Sequence, residues 1–213
     1  SSMYESFYGM RNTPFAKDIP ADRLFESKQV QDALGRMKYA ADRKQFAVVT
    51  GDPGCGKSTL IRLFDSTLPR DRYTLLYVSD SQLTPRWLYS GLLGQLGIKA
   101  HFYRGDAKRQ LQKAMESLRE EQKKDVVCVL DEAHLLERET LEEFRFLLNS
   151  EFDSATPLSL VLVGQTELWD KLRLQRYTAI TQRIDMNIVL KPMDHSETGL
   201  YIRSHLAYAS GDS

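Results

Sequence analysis

Three glycines, a lysine and a serine fall in one short segment, residues 51–58, with the sequence Gly-Asp-Pro-Gly-Cys-Gly-Lys-Ser. The segment matches the pattern G-x-x-x-x-G-K-[ST] in full, and it lies between an apolar run and a helical pattern. Glycines let the backbone curl so that successive N–H groups point inward at phosphate oxygens, and a helix that starts there adds its partial positive charge. We call this segment the phosphate loop, because its chemistry predicts a site for a phosphate-bearing ligand.

The side chains of the phosphate loop predict ATP with Mg²⁺ as the cofactor. In this geometry Lys57 reaches the β- and γ-phosphates, the Ser58 hydroxyl is a ligand of Mg²⁺, and Thr59 lies near the α-phosphate. A glycine-rich turn without function is the alternative interpretation. The residues expected to hold the nucleotide are consecutive: Asp52, Pro53, Gly54, Cys55, Gly56, Lys57, Ser58 and Thr59.

Two adjacent carboxylates, Asp131 and Glu132, follow the apolar run 126–130, and we call them the acidic pair. Ligands of open parallel sheets bind beyond the carboxyl ends of the strands, so the pair is predicted beside Lys57. We expect Asp131 to hold Mg²⁺ through water and Glu132 to polarise a water that attacks the γ-phosphate in line. Alternatively, the pair only forms an acidic first turn of the next helix. His134 is expected to be a cap or a packed side chain.

Short apolar runs alternate with helical patterns and supply the elements that position these groups. The runs are β-branched or aliphatic nearly throughout, which is typical of strands covered on both faces in a parallel sheet. The alternation predicts an α/β fold with a five-stranded parallel sheet between layers of helices. Strands are predicted at 46–50, 73–78, 126–130, 158–163 and 186–190, and helices at 28–43, 57–67, 85–96, 106–123, 139–150 and 167–174.

Composition narrows the class of protein. The 213 residues fit about one domain, or one domain with a fragment of a second, and 42% of them are hydrophobic, as in ordinary globular proteins. Lys and Arg together number 29, as do Asp and Glu, so no strong overall field attracts nucleic acid or an anionic membrane. With Cys55 and Cys128 as its two cysteines and no apolar stretch of about 20 residues, the sequence predicts a reducing compartment and no membrane segment in this chain.

The chain resembles AAA+ ATPases of the ExeA/GspA-like group, which includes the ATPase subunits of transposons (MuB, TnsC and TniB relatives). The resemblance implies an AAA+ type of P-loop NTPase fold, a three-layer sandwich, in a bacterial cytoplasmic protein. It also implies ATP hydrolysis and assembly of copies of the chain into a ring or helical filament. It rests on the phosphate loop and on residues 3–9, 13–15, 131–134, 162–168 and 182–184.

The resemblance implies roles for further polar residues. Gln165 matches the sensor-1 position, where a side chain contacts the γ-phosphate or orients water. Arg183 matches the arginine finger, which reaches the ATP of a neighbouring subunit, and Arg176 is the competing candidate. Ser79 and Asp80 are candidates for a switch that restrains the catalytic glutamate, or they cap a turn.

The resemblance also suggests how the chain is divided. Residues 1–2 are expected to be a tag remnant, and residues 3–44 an N-terminal segment that packs on the nucleotide site, with 15–25 against the adenine. Residues 45–190 form the expected AAA+ core. Residues 191–213 are expected to be the first helix of a truncated C-terminal lid, since one amphipathic helix cannot bury its apolar face alone. The resemblance places a sensor-2 arginine in the later helices of that lid, so we expect weak hydrolysis by this chain.

An ATP site does not name the process that it serves. The expected function is an ATP-hydrolysing regulator that oligomerises on double-stranded DNA and acts in transposition, in target selection and transposase recruitment. The alternatives are an ExeA/GspA-like secretion-assembly ATPase and a nucleotide-dependent protein-interaction switch. Basic residues outnumber acidic ones between 104 and 124, which suits a phosphate backbone, although a charge-laced helix is otherwise a solvated face. The candidate DNA contacts are Arg104, Lys108, Arg109 and Lys113.

Overall fold

The computed structural model describes residues 27–79, 83–148 and 158–192. The expectations for the N-terminal segment up to residue 26, for Asp80 and for the helix after residue 192 lie outside these residues. The helices are α1 (Lys28–Asp42), α2 (Lys57–Thr67), α3 (Pro85–Gln95), α4 (Arg104–Gln122), α5 (Arg138–Leu148), α6 (Glu167–Leu172) and α7 (Thr178–Thr181). The strands are β1 (Phe46–Thr50), β2 (Tyr73–Val78), β3 (Asp125–Leu130), β4 (Leu158–Gly164) and β5 (Met186–Val189). Short 3₁₀ turns cover Ala133–Leu135 and Gln175–Tyr177.

The five strands form one parallel sheet in the order β2-β3-β4-β1-β5. In register, the last residue of β1, Thr50, lies beside Gly164 of β4 and Val189 of β5. All five carboxyl ends therefore meet at one edge of the sheet, and all five amino ends at the other. The predicted five-stranded parallel sheet is confirmed.

Helices cover both faces of the sheet. Neighbouring strand residues point to opposite faces, so Val48 joins a buried cluster with residues of α3, α4 and α5, whereas Val49 joins a cluster with α1 and α2. Every residue of β1 and β4 is buried between these clusters. This arrangement confirms the three-layer α/β sandwich.

Local signals set the ends of several helices. The Thr84 side chain accepts a hydrogen bond from the Trp87 N–H and Pro85 is the first helical residue, so α3 begins where a cap and an N1 proline predict. Helix α4 begins at Arg104, two residues before the predicted start, and ends at Gln122 because Lys123 adopts a left-handed φ of 58°. Within the described ranges, no helix combines the length and apolar character needed to cross a bilayer.

Candidate functional site

The phosphate loop joins the carboxyl end of β1 to the start of α2. Gly54 and Gly56 have φ angles of 88° and 92°, in the left-handed region that glycine adopts without steric cost. An added Cβ at Gly54 would meet nothing within 4 Å, so the backbone conformation, and not space, accounts for glycine there. Gly56 is the N-cap residue of α2, which leaves the first N–H groups of that helix facing the loop. The loop thus has the shape of an anion cradle.

Lys57 is the first residue of α2, and its side chain bends back over the loop. The ammonium Nζ donates hydrogen bonds to the main-chain oxygen of Gly51 and, at 3.1 Å, to that of Asp52. Beneath the loop, Cys55 is 1% exposed, and its N–H donates to the Asp52 oxygen at 3.1 Å. Packing from below and the lysine from above therefore fix the loop conformation.

The end of β4 contacts the loop directly. The Gly51 N–H donates to the Gly164 oxygen at 3.2 Å, which continues the β1–β4 ladder into the loop. Two residues further along, the Thr166 hydroxyl donates to Asp52 Oδ1 at 2.8 Å. Gln165, the predicted sensor, lies between these two contacts and is half-buried.

The acidic pair follows β3, on the other side of β4. Asp131 accepts two hydrogen bonds, from the Tyr77 hydroxyl to Oδ2 at 2.6 Å and from the Glu132 N–H to Oδ1 at 2.8 Å. Its own N–H donates to the Val78 oxygen at 2.8 Å. Burial and the nearby carboxylate raise the pKa of the Tyr77 hydroxyl, so it stays protonated and acts as the donor. Asp131 is thereby oriented while some of its lone pairs remain for another ligand.

Glu132 and Gln165 are linked through His134, a connection that sequence reasoning missed. His134 is 8% exposed, and its Nδ1 accepts a hydrogen bond from the Gln165 N–H at 3.1 Å. Its Nε2 lies 3.3 Å from Glu132 Oε2 and 3.6 Å from Glu167 Oε1. Glu132 itself has a φ of 55°, a left-handed conformation that is uncommon for residues other than glycine. The expectation of a packed side chain describes the burial of His134 but not these contacts.

The structure does not bring Arg183 to this edge. Asp185, two residues after it, accepts a hydrogen bond from the Phe46 N–H at 2.9 Å, at the start of β1. Because β1 has five residues, a rise of about 3.3 Å per residue puts the two edges about 16 Å apart. Arg176, the competing candidate, is exposed, with its guanidinium carbon 5.5 Å from the centroid of the Tyr177 ring.

The four candidate DNA-contacting residues lie on α4, and Arg104 and Arg109 have acidic partners. Arg104 Nη1 is 3.3 Å from Glu143 Oε1, and Arg109 forms a salt bridge with Asp106. Lys113 is exposed and Lys108 is half-buried. Part of the positive charge on α4 is therefore compensated by its own neighbours.

A group of exposed aromatic side chains surrounds Arg86 at the starts of α3 and α4, and we call it the arginine–aromatic patch. The guanidinium carbon of Arg86 lies 4.1 Å from the centroid of the Phe102 ring and 5.5 Å from that of Trp87. Tyr103 packs edge-on against Phe102, with ring centroids 5.3 Å apart. Each of the three aromatic residues is more than half exposed. Sequence reasoning missed this patch, although Trp87 and Phe102-Tyr103 stand close to predicted helix starts.

A glycine-rich loop between β1 and a helix, with an acidic pair two strands away at the same edge, defines a P-loop nucleoside triphosphatase. The strand order β2-β3-β4-β1-β5 and a match to a family model identify the AAA+ type. Residues 40–172 match the family described as "AAA domain", and the chain belongs to that family. Proteins of this family in general bind nucleotide, usually with Mg²⁺, and hydrolyse ATP.

Similar proteins confirm both groups named by the resemblance. General secretion pathway protein A of Aeromonas hydrophila is 30% identical over 215 residues, which is 97% of this chain and 38% of that protein. ATP-dependent target DNA activator B of Escherichia phage Mu is 26% identical over 151 residues, 70% of this chain and 44% of that protein. The chain thus spans less than half the length of these curated relatives. The Aeropyrum pernix ORC2 structure (ADPNP-ADP complexes) shares the fold, with a TM-score of 0.63 at 17% identity over 84% of this chain and 50% of that one.

Proposed function

We propose that this chain binds ATP with Mg²⁺ at the phosphate loop, hydrolyses it, and oligomerises on double-stranded DNA to act in transposition in the bacterial cytoplasm. The observation that carries the ATP part is the convergence of three groups at one edge of the sheet. The phosphate loop follows β1, Gln165 follows β4, and the acidic pair follows β3, and these three strands are neighbours.

The residues of the loop fit a triphosphate. Lys57 now donates to two main-chain oxygens, and phosphate oxygens are stronger acceptors for its ammonium because they carry charge. Residues 52–59 would hold the phosphates through N–H groups that the two left-handed glycines turn inward. Ser58, exposed in the first turn of α2, and Asp131 offer the oxygen ligands that Mg²⁺ takes. When bound, Mg²⁺ would neutralise the charge that develops on the phosphates.

Glu132 and Gln165 have different roles in the attack of water on the γ-phosphate. The Glu132 side chain is 49% exposed, so water reaches its carboxylate, which accepts the proton of the attacking water. The Gln165 amide both donates and accepts hydrogen bonds, which suits it to orient that water. Glu132→Gln should therefore retain nucleotide binding and lose turnover, whereas Lys57→Ala should lose nucleotide binding itself.

Arg183 acts on the nucleotide of a neighbouring copy. It stands at the amino edge of the sheet, about 16 Å by strand rise from the phosphate loop of its own chain. A guanidinium there is exposed and suited to a γ-phosphate presented by another subunit. This position supports self-assembly into a ring or filament in which turnover depends on contact between copies.

Two features support DNA as a partner. The basic side chains of α4 can follow a phosphate backbone, and Arg86 of the arginine–aromatic patch, near the start of the same helix, adds a guanidinium for the same backbone. The similarity to the phage Mu target DNA activator extends this proposal to target selection and recruitment of a transposase.

A second candidate function is secretion, favoured by one specific observation. The similarity to General secretion pathway protein A runs along 97% of the chain, against 70% for the phage protein. In that case the assembly would respond to ATP without DNA. A protein-interaction switch without hydrolysis is disfavoured by the exposed Glu132 carboxylate beside the loop.

Sedimentation of the purified chain with a 60-base-pair duplex, with and without a non-hydrolysable ATP analogue and at two salt concentrations, tests the proposal. Co-sedimentation that requires the analogue and weakens steeply with salt is expected. A chain that assembles with the analogue but ignores DNA at both salt concentrations would favour the secretion candidate.

Charge variants identify the DNA-contacting surface. Lys113→Glu on α4 should weaken co-sedimentation and lower the salt dependence, by about one unit of slope per lost phosphate contact. Lys38→Glu is the matched control, because Lys38 is an exposed lysine on α1, remote from α4 in the sequence. Equal losses in the two variants would mean that net charge alone governs binding.

Turnover against protein concentration tests the role of Arg183. Arg183→Ala should leave the affinity of the isolated chain for nucleotide unchanged and remove the rise in turnover with concentration. The control is Arg173→Ala, which removes an arginine whose side chain is 71% exposed and lies 3.7 Å from Asp170 and 5.9 Å from the centroid of the Trp169 ring. Normal turnover of Arg183→Ala at every concentration would refute a role between subunits.

A further inference from the structure

We propose that His134 is a positioning residue, which orients the Glu132 carboxylate through Nε2–H and couples it to the main chain at Gln165. The proposal rests on the proposed ATP hydrolysis, in which Glu132 accepts the proton of the attacking water. The buried imidazole of His134 thereby has a role beside the phosphate loop and the acidic pair.

The hydrogen bond at Nδ1 defines the tautomer of His134. The Gln165 N–H donates to Nδ1 at 3.1 Å, so Nδ1 carries no proton and the neutral ring is protonated at Nε2. Nε2 faces Glu132 Oε2 at 3.3 Å and Glu167 Oε1 at 3.6 Å. The ring therefore accepts from the end of β4 and donates toward the catalytic carboxylate that follows β3.

The position of the ring is fixed from several sides. The His134 side chain is only 4% exposed. Lys171 Nζ donates to the main-chain oxygens of His134 at 2.9 Å and Leu136 at 2.7 Å, which holds the turn that carries the ring. A Cβ built on Gly164 would lie 3.1 Å from Nδ1 and 3.2 Å from the His134 nitrogen, so the ring packs directly on the main chain of β4. A donor held this rigidly can select one orientation of a flexible partner.

Glu132 is such a partner, since its side chain is 49% exposed and otherwise free to sample several rotamers. Nε2, 3.3 Å from Oε2 of Glu132, favours the rotamer that faces the ring. Glu167 Oε1, at 3.6 Å from the same nitrogen, lies beyond hydrogen-bond distance and places a second carboxylate near the ring. A shift of the main chain at Gln165 moves the ring through Nδ1 and thereby changes the orientation of Glu132.

Two conservative variants separate positioning from structural support. The amide of His134→Gln takes the place of Nε2 and keeps a donor for Glu132, whereas that of His134→Asn takes the place of Nδ1 and keeps only the acceptor for the Gln165 N–H. We expect His134→Asn to lower kcat about 10- to 100-fold with KM for ATP and ADP affinity unchanged, as for other residues that orient a catalytic group. His134→Gln should restore most of the loss. The reverse ranking would show that the ring only supports the main chain at Gln165, and would overturn the proposal.

A double-mutant cycle distinguishes this inference from the proposed function. Glu132→Gln should lower turnover, and His134→Asn should have no further effect in that background because it acts through the same carboxylate. Absence of turnover in the parent chain would refute the proposed hydrolysis, whereas a low value for Glu132→Gln with a normal value for His134→Asn would refute only the positioning. Normal turnover of Glu132→Gln would refute the role of Glu132 and, with it, the positioning.

The protonation of the two His134 ring nitrogens can be measured without ATP turnover. In the ¹⁵N spectrum of histidine-labelled protein at pH 8, His134 should show an unprotonated Nδ1 and a protonated Nε2. His134→Gln identifies the resonances, and Glu132→Gln should shift those of Nε2. Protonation at Nδ1, or Nε2 resonances unchanged by Glu132→Gln, would overturn the proposal even if the chain hydrolysed no ATP.

Discussion

A single methyl group at position 164 should disturb the sheet and the site together. Gly164 ends β4 and is buried, and its oxygen accepts the hydrogen bond of Gly51 at the phosphate loop. A Cβ there would lie 3.1 Å from His134 Nδ1, 3.2 Å from the His134 nitrogen and 3.2 Å from Leu168 Cδ2. Favourable contacts between carbon atoms lie at about 3.5–4.0 Å, so all three neighbours would have to move.

The size of the destabilisation depends on how far the three neighbouring atoms can move. Two of the three atoms belong to the His134 ring and main chain, which hydrogen bonds hold in place, so little relaxation is available. Overpacking of a buried site typically costs about 1–3 kcal/mol, and we expect Gly164→Ala to lower the free energy of unfolding by about 2 kcal/mol. At about 2–4 °C per kcal/mol for a domain of this size, Tm should fall by about 4–8 °C.

Urea and thermal unfolding followed by circular dichroism measure the effect, with Gly35→Ala as the matched control. Gly35 is exposed within α1, and a Cβ there meets nothing within 4 Å. Alanine in a helix interior is favoured over glycine by about 0.5–1 kcal/mol, so the same substitution should stabilise the chain at this position. A Gly164→Ala variant as stable as the parent would refute the close packing of His134 on β4 and, with it, the rigidity on which the positioning argument rests.

Two further predictions concern buried side chains. Tyr89 donates a hydrogen bond to the carboxylate of Glu143, which is 5% exposed, so Tyr89→Phe should cost about 1–3 kcal/mol in urea unfolding by leaving that acceptor short of a donor. An unchanged midpoint would contradict this buried pair. Cys55 and Cys128 are both buried, and burial raises the pKa of the Cys128 thiol, so Ellman's reagent should react with neither in the native chain and with both after unfolding. Rapid native-state labelling would contradict the packing beneath the loop.

Strands β1 to β4 were predictable to within one residue because burial on both faces requires continuous apolar runs, and such runs end sharply at polar residues. Helix ends were less predictable, since they depend on backbone conformation. Lys123, for example, ends α4 by adopting a left-handed φ, although its side chain is typical of a helix. The four-residue helix α7 is too short to show a periodic pattern in the sequence.

Some parts of the candidate site were likewise predictable from the sequence, and others were not. The phosphate loop and the acidic pair are contiguous in sequence, so residue type and spacing were enough to predict them. The link from Glu132 through His134 to Gln165 depends on the pairing of β3 with β4, because His134 and Gln165 are 31 positions apart. The arginine–aromatic patch likewise forms only where the starts of α3 and α4 meet. In the sequence, the residues of the link and of the patch are far apart, and each residue also has an ordinary structural interpretation.

The position of β4 explains why these contacts matter jointly. It lies between β1 and β3, so its carboxyl end touches both halves of the site: Gly164 and Thr166 contact the phosphate loop, and Gln165 contacts His134. A change at the γ-phosphate that moves this end by a few tenths of an ångström therefore reaches Glu132 through packed or hydrogen-bonded atoms. Arg183 stands at the opposite edge and cannot join that path within one chain. In the proposed function, a single copy therefore senses nucleotide through β4, but a guanidinium from Arg183 at the γ-phosphate has to come from a second copy.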